Sequence, residues 1–169
     1  MGHRVRLFVG SAQALKPLHE AAGLCGLYAL APAARLLVLP LDETIHERLH
    51  RSYGTGDWLE IGGPLLTSSD MAAAAKASEV DRVAYLETDY LDGDGLQHAV
   101  VWQGGILTLG PLTRDVSQSR SRHASLWPVN VALRSLGVEA DMWRDEFTVF
   151  GLDRYRSCAE ILSRASRMD

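Results

Sequence analysis

Cysteine is scarce in this chain. Only Cys25 and Cys158 occur among 169 residues, far apart and in no CxxC pair. That spacing gives no support to a thioredoxin-type redox site or a cysteine-built zinc site. Both lie in apolar-leaning segments and read as buried thiols. Excess positive charge is also lacking: the formal net charge is −4 and the sequence pI is near 5.8. Phosphate binding needs a basic face, so nucleic acid is disfavoured as the main partner. No apolar run approaches the roughly 18 residues of a membrane span, and MGHRVRLFVG contains no signal-peptide core. The expectation is a cytoplasmic protein without a membrane partner. No G-x-S-x-G elbow, Walker loop or G-x-G-x-x-G fingerprint is present. No internal repeat or interior linker divides the chain.

What is present is ordinary globular composition, 47% hydrophobic and 22% charged, and enough length for a single domain, 1–169. Val5–Val9 alternates as a strand. Gly10–Ser11 opens a helix through Ala21, in which Pro17 removes one donor. Arg35–Leu41 is a compact apolar run suited to a strand covered on both faces. Asp42 caps a helix from Glu43 to about Ser52, with Ile45, Leu49 and Tyr53 as its apolar stripe. Thr67 and Asp70 have capping-box spacing for a helix through Ala77.

Arg82–Gly110 is the most informative block. It reads as strands Val83–Thr88, His98–Gln103 and Ile106–Leu109, with Gly104–Gly105 as a two-residue hairpin turn. Thr113–Ser125 is polar and aperiodic and reads as a loop. Pro128 starts a helix that Gly137 stops. Further helices are expected over Asp141–Phe150 and Ser157–Ser166. Trp102, Trp127, Trp143, Phe147 and Phe150 read as core; an exposed tryptophan among them would mark an interface. The expected fold is α+β or mixed α/β, a central mostly antiparallel sheet with helices packed around it.

HERLH at 46–50 matches the helical His-Glu-x-x-His pattern. Two imidazoles at i and i+4 can share a zinc ion, and the glutamate between them can polarise bound water. His46, Glu47 and His50 therefore form the alternative metal site, that of a zinc-dependent hydrolase. Glu60, Glu79 and Glu87 are available as a third ligand. Arg48 and Arg51 oppose a dication, and the Ile45–Leu49–Tyr53 stripe explains the helix without metal. No cofactor is required by this reading.

The densest acidic patch is Glu87, Asp89, Asp92 and Asp94. A calcium loop aligned on Gly95 would put Tyr90 and Val101 at ligand positions, so calcium is not expected. Glu87 and Asp89 share one strand face, the spacing of a carboxylate acid–base pair, with Arg154 and Arg156 as candidate counter-charges. Arginines between Arg114 and Arg122 could clamp an anion.

The segments LETDYLDGDGLQHAVVWQGG, PVNVALRSLGV and DEFTVFGLDRYR, spanning Val83 to Arg156, together resemble a group of small bacterial cytosolic proteins similar in style to toxin immunity proteins. This chain carries Leu91-Asp92-Gly93 where that group has an aromatic residue followed by two glycines. The resemblance implies a non-enzymatic protein that binds a cognate protein toxin, with Glu87, Asp89, Asp92 and Asp94 as the contact patch. An acidic surface suits a basic toxin site and speeds the encounter.

Overall fold

A computed structural model describes residues 2–23, 26–31, 35–54, 66–91, 94–115 and 124–168. The elements, in order, are β1 (His3–Gly10), α1 (Ala12–Ala22), β2 (Leu27–Ala29), β3 (Leu37–Pro40), α2 (Glu43–Tyr53) and α3 (Ser68–Ala77). Then come β4 (Val83–Leu91), β5 (Asp94–Gln103), β6 (Ile106–Asp115), α4 (Pro128–Ser135), α5 (Glu146–Phe150), α6 (Cys158–Arg164) and β7 (Ser166–Met168). Seven strands form one sheet in the order β6-β5-β4-β1-β3-β2-β7. Every neighbouring pair is antiparallel. The α+β fold expected from the strand and helix signals is the one observed.

Both faces of the sheet are covered, so its central strand buries consecutive residues. On β1, Phe8 joins the cluster formed with Leu15, Leu18, Ile45, Leu49 and Ala73 of α1, α2 and α3. Its neighbours Leu7 and Val9 join the opposite cluster, with Val129, Leu133, Phe150 and Ile161 of α4, α5 and α6. The strand period of two thus sorts one apolar run into two cores. Truncating one of these leucines to alanine costs about 2–5 kcal/mol, through lost transfer energy and the cavity left behind.

Local chemistry sets the element boundaries. Ser11, Asp42 and Ser157 each accept a backbone N–H at the start of their helices, and Thr67 with Asp70 forms a full capping box. The β5–β6 turn places Gly104 and Gly105 at φ +61° and +81°. Two successive left-handed residues fit the right-handed twist of the flanking strands, and glycine adopts them without strain.

Several expectations move. The three strands of the Arg82–Gly110 block are each longer than their apolar cores suggest. β6 runs on through Thr113–Asp115, so this part of the expected loop is strand; 116–123 lie outside the described residues. The helix expected from Asp141 begins only at Glu146, because Asp145 caps it by accepting from the Thr148 N–H at 3.0 Å. Ser166 belongs to β7, not to the last helix. Cys158 is a free thiol donating to the Arg6 carbonyl at 3.2 Å, and burial pushes its pKa up. Cys25 lies outside the described residues. Among the described residues, no helix is long and apolar enough to cross a membrane.

Candidate functional site

Cross-strand register puts a row of polar residues on the face covered by α1, α2 and α3. Arg6 stands opposite Glu87, Glu87 opposite His98, and His98 opposite Thr113. Two residues along each strand the row turns apolar, with Phe8, Tyr85 and Val100. Glu87 is 2% exposed, and its Oε2 accepts the Tyr85 hydroxyl at 2.8 Å. Burial pushes the Glu87 carboxyl up; the Tyr85 hydrogen bond and the Arg6 charge oppose that shift. The Tyr85 phenol is pushed well up by burial and by Glu87 beside it. His98 Nδ1 lies 2.9 Å from Thr113 Oγ1.

The HERLH helix lies over the same face. Ile45 and Leu49 are buried and set its rotation, which turns His46 and His50 toward the start of α3. The two rings stand 4.1 Å apart, centroid to centroid, tilted by 52°. The residue they meet is Asp70, fully buried. Asp70 Oδ1 lies 3.4 Å from His46 Nδ1 and 3.9 Å from His50 Nε2. Its other oxygen, Oδ2, accepts both the backbone N–H and the hydroxyl of Thr67, each at 2.8 Å. His50 Nε2 is 3.0 Å from Thr67 Oγ1. His46 is held below the usual histidine pKa, first by burial and further by His50 and Arg6, against the pull of Asp70.

This arrangement differs from the one expected for HERLH. Glu47, the base of that pattern, is exposed and lies outside the three-residue cluster His46, His50 and Asp70. Of the proposed third ligands, Glu79 pairs with Lys76 at 2.6 Å and Glu87 takes the Tyr85 hydrogen bond. Glu60 lies outside the described residues. Arg48 is turned away and donates to the Ala22 carbonyl at 3.0 Å, and Arg51 is exposed. Asp70 was missed because its capping-box role accounts for only one of its oxygens. The available signal was a carboxylate at a helix start following a His-x-x-x-His helix.

The acidic patch divides. Glu87 is buried, because strand alternation places it on the helix-covered face beside Tyr85. It is therefore no contact residue, and the Glu87–Asp89 pair is split between interior and solvent. Asp89 is exposed and pairs with Arg4 at 3.3 Å, rather than with Arg154 or Arg156. Asp94 is exposed; Asp92 lies outside the described residues. Leu91, between them, is 68% exposed.

The apolar pattern concealed a second exposed feature. Trp143 is 88% exposed and Met142 is 84% exposed. Asp141 clamps their turn: its Oδ1 accepts the N–H groups of Trp143 and Arg144 at 2.9 and 2.8 Å. Its Oδ2 accepts two guanidinium N–H groups of Arg144 at 2.8 and 2.6 Å. These bonds, the Arg144 side chain first, hold the Asp141 carboxyl below its usual range.

Below the turn, buried Asn130 donates to Asp145 Oδ2 at 3.1 Å and to the Ala124 carbonyl at 2.8 Å. Its own carbonyl accepts the Phe147 N–H at 2.8 Å. The His3 ring lies against both Tyr90 of β4 and Phe147 of α5, 5.6 and 5.3 Å between centroids. These contacts tie α5, which follows the Trp143 turn in the chain, to Tyr90 of β4.

Of the arginines proposed to clamp an anion, Arg114 lies on β6 and lines a cleft of about 340 Å³ with Leu112, Leu126, Pro128 and Val131. Arg120 and Arg122 lie outside the described residues. No family model, curated protein or solved structure matches the chain.

Proposed function

We propose that this is a non-enzymatic cytoplasmic binding protein of the immunity type, which neutralises a cognate bacterial toxin by covering it. The contact surface is the end of the sheet formed by Asp89, Leu91 and Asp94 together with the Met142–Trp143 turn. The observation that carries the reading is Trp143, almost wholly exposed on a turn held by four hydrogen bonds to Asp141.

Tryptophan and methionine are enriched at interface centres, and tryptophan is among the commonest hot-spot residues. A rigid turn presents the indole with little ordering left to lose on binding. The surrounding carboxylates supply the long-range attraction to a basic partner, and the charge of −4 is of the matching sign. Such an inhibitor needs a stiff scaffold and no nucleophile.

The test is co-expression with candidate toxins encoded by the neighbouring genes. The wild-type chain should restore growth. Trp143→Ala should lose protection, and Asp89→Asn/Asp94→Asn should slow association most at low salt. Full protection by Trp143→Ala with unchanged affinity would end the assignment of this surface.

A further inference from the structure

The proposed recognition surface leaves the half-buried His46–His50 pair and buried Asp70 without a role. We propose that His46 Nδ1, His50 Nε2 and Asp70 Oδ1 bind one divalent cation of the zinc class, His50 Nε2 giving up its contact with Thr67 Oγ1 and its proton as the cation binds. All three ligand atoms lie within 4.8 Å of one another. Around a tetrahedral ion with bonds of about 2.0–2.1 Å, neighbouring ligand atoms stand about 3.3 Å apart. The His46–Asp70 separation of 3.4 Å meets that edge, and the His50–Asp70 separation of 3.9 Å needs a shift of about half an ångström.

Asp70 Oδ1 accepts no hydrogen bond among the described residues although it is fully buried; its two imidazole neighbours stand at 3.4 and 3.9 Å. A carboxylate oxygen removed from water and given no donor is costly, and a cation offsets that cost. The second carboxylate oxygen is held by Thr67, the outer-shell contact that fixes a ligating carboxylate. Two imidazoles with one carboxylate favour zinc over calcium or magnesium, which take oxygen ligands. Three protein ligands leave a fourth position for water or another group. Because Glu47 lies outside the cluster, the proposal is cation binding and includes no hydrolytic step.

The experiment uses the full chain without a polyhistidine tag, stripped with EDTA and titrated with zinc chloride against a chromophoric chelator. One zinc per chain is expected. His50→Gln and Asp70→Asn, which remove direct ligands, should each weaken binding by more than the roughly 10–100-fold that the loss of an outer-shell partner costs. His19→Gln, on α1 and outside the cluster, should leave affinity unchanged. Because Asp70→Asn also touches the α3 cap, His46→Gln and His50→Gln, checked for retained fold by circular dichroism, carry the result. Cobalt(II) in place of zinc should give the strong visible absorption of a four-coordinate ion, lost in both histidine variants. No stoichiometric uptake, or equal uptake by wild type and the histidine variants, would overturn the site.

Discussion

Two tryptophans of this chain should behave oppositely when truncated. Trp102 is 2% exposed at the foot of β5, and Trp143 is 88% exposed on its clamped turn. A tryptophan inside a core buries up to about 250 Å², so Trp143 covers only about 30 Å². At about 25 cal/mol per Å², Trp143→Ala should cost less than about 1 kcal/mol. Trp102→Ala empties a filled site among Val83, Val100 and Ala77 and should cost about 3–5 kcal/mol. With a urea slope of about 1–3 kcal/mol per molar, the Trp102 variant should shift the unfolding midpoint by a molar unit or more. The Trp143 variant should barely move it. Equilibrium urea unfolding read by far-ultraviolet circular dichroism separates the two. A loss above about 2 kcal/mol for Trp143→Ala would refute the exposure argument, because no surface side chain free of special contacts costs that much.

Asn130→Ala should cost about 1–3 kcal/mol, because it removes buried Asn130's bonds to the half-buried Phe147 N–H and Ala124 carbonyl; thermal unfolding checks it. Gly95→Ala should destabilise by more than about 2 kcal/mol: its φ is +151° and a Cβ would stand 1.9 Å from the Asp89 carbonyl oxygen. Little change in its urea midpoint would contradict the strand pairing at that end. His3 is held below the ordinary histidine pKa of about 6.5, chiefly by burial, against its hydrogen bond to the Leu152 carbonyl. The folded state therefore binds fewer protons than the unfolded one below pH 6.5. Stability should fall as pH drops through that value toward the folded pKa, and His3→Gln should flatten the slope between pH 7.5 and 5.5.

Those parts of the fold that depend on local chemistry were legible in the sequence. The Gly104–Gly105 turn, the caps at Asp42 and Thr67, and the apolar runs of β1 and β4 are each specified within a few residues. β2 and β7 were not, because three-residue strands exist only through their pairing with each other and with β3. The α5 start was misplaced because Asp141 and Asp145 are both good caps. Arg144, bonding back to Asp141, closes the first into a turn and leaves Asp145 to start the helix. That displacement turned Trp143 from an expected core residue into an exposed one. For the site, His46 and His50 were legible from their spacing, whereas Asp70 joins them only through the packing of α2 on α3. Glu87 was misassigned because both faces of β4 are covered as far as Thr88, so exposure begins only at Asp89, where the helix layers end, and alternation does not show that.

The central claim is that the β4–β5 end and the Met142–Trp143 turn cover the toxin. Hydrogen–deuterium exchange of the chain, free and with the proposed toxin partner, tests it directly. Residues 89–96 and 139–145 should gain protection on binding while the exposed β6 edge at Ile106–Leu107 exchanges unchanged. Protection confined to β6, with the Trp143 turn exchanging as in the free protein, would contradict the account.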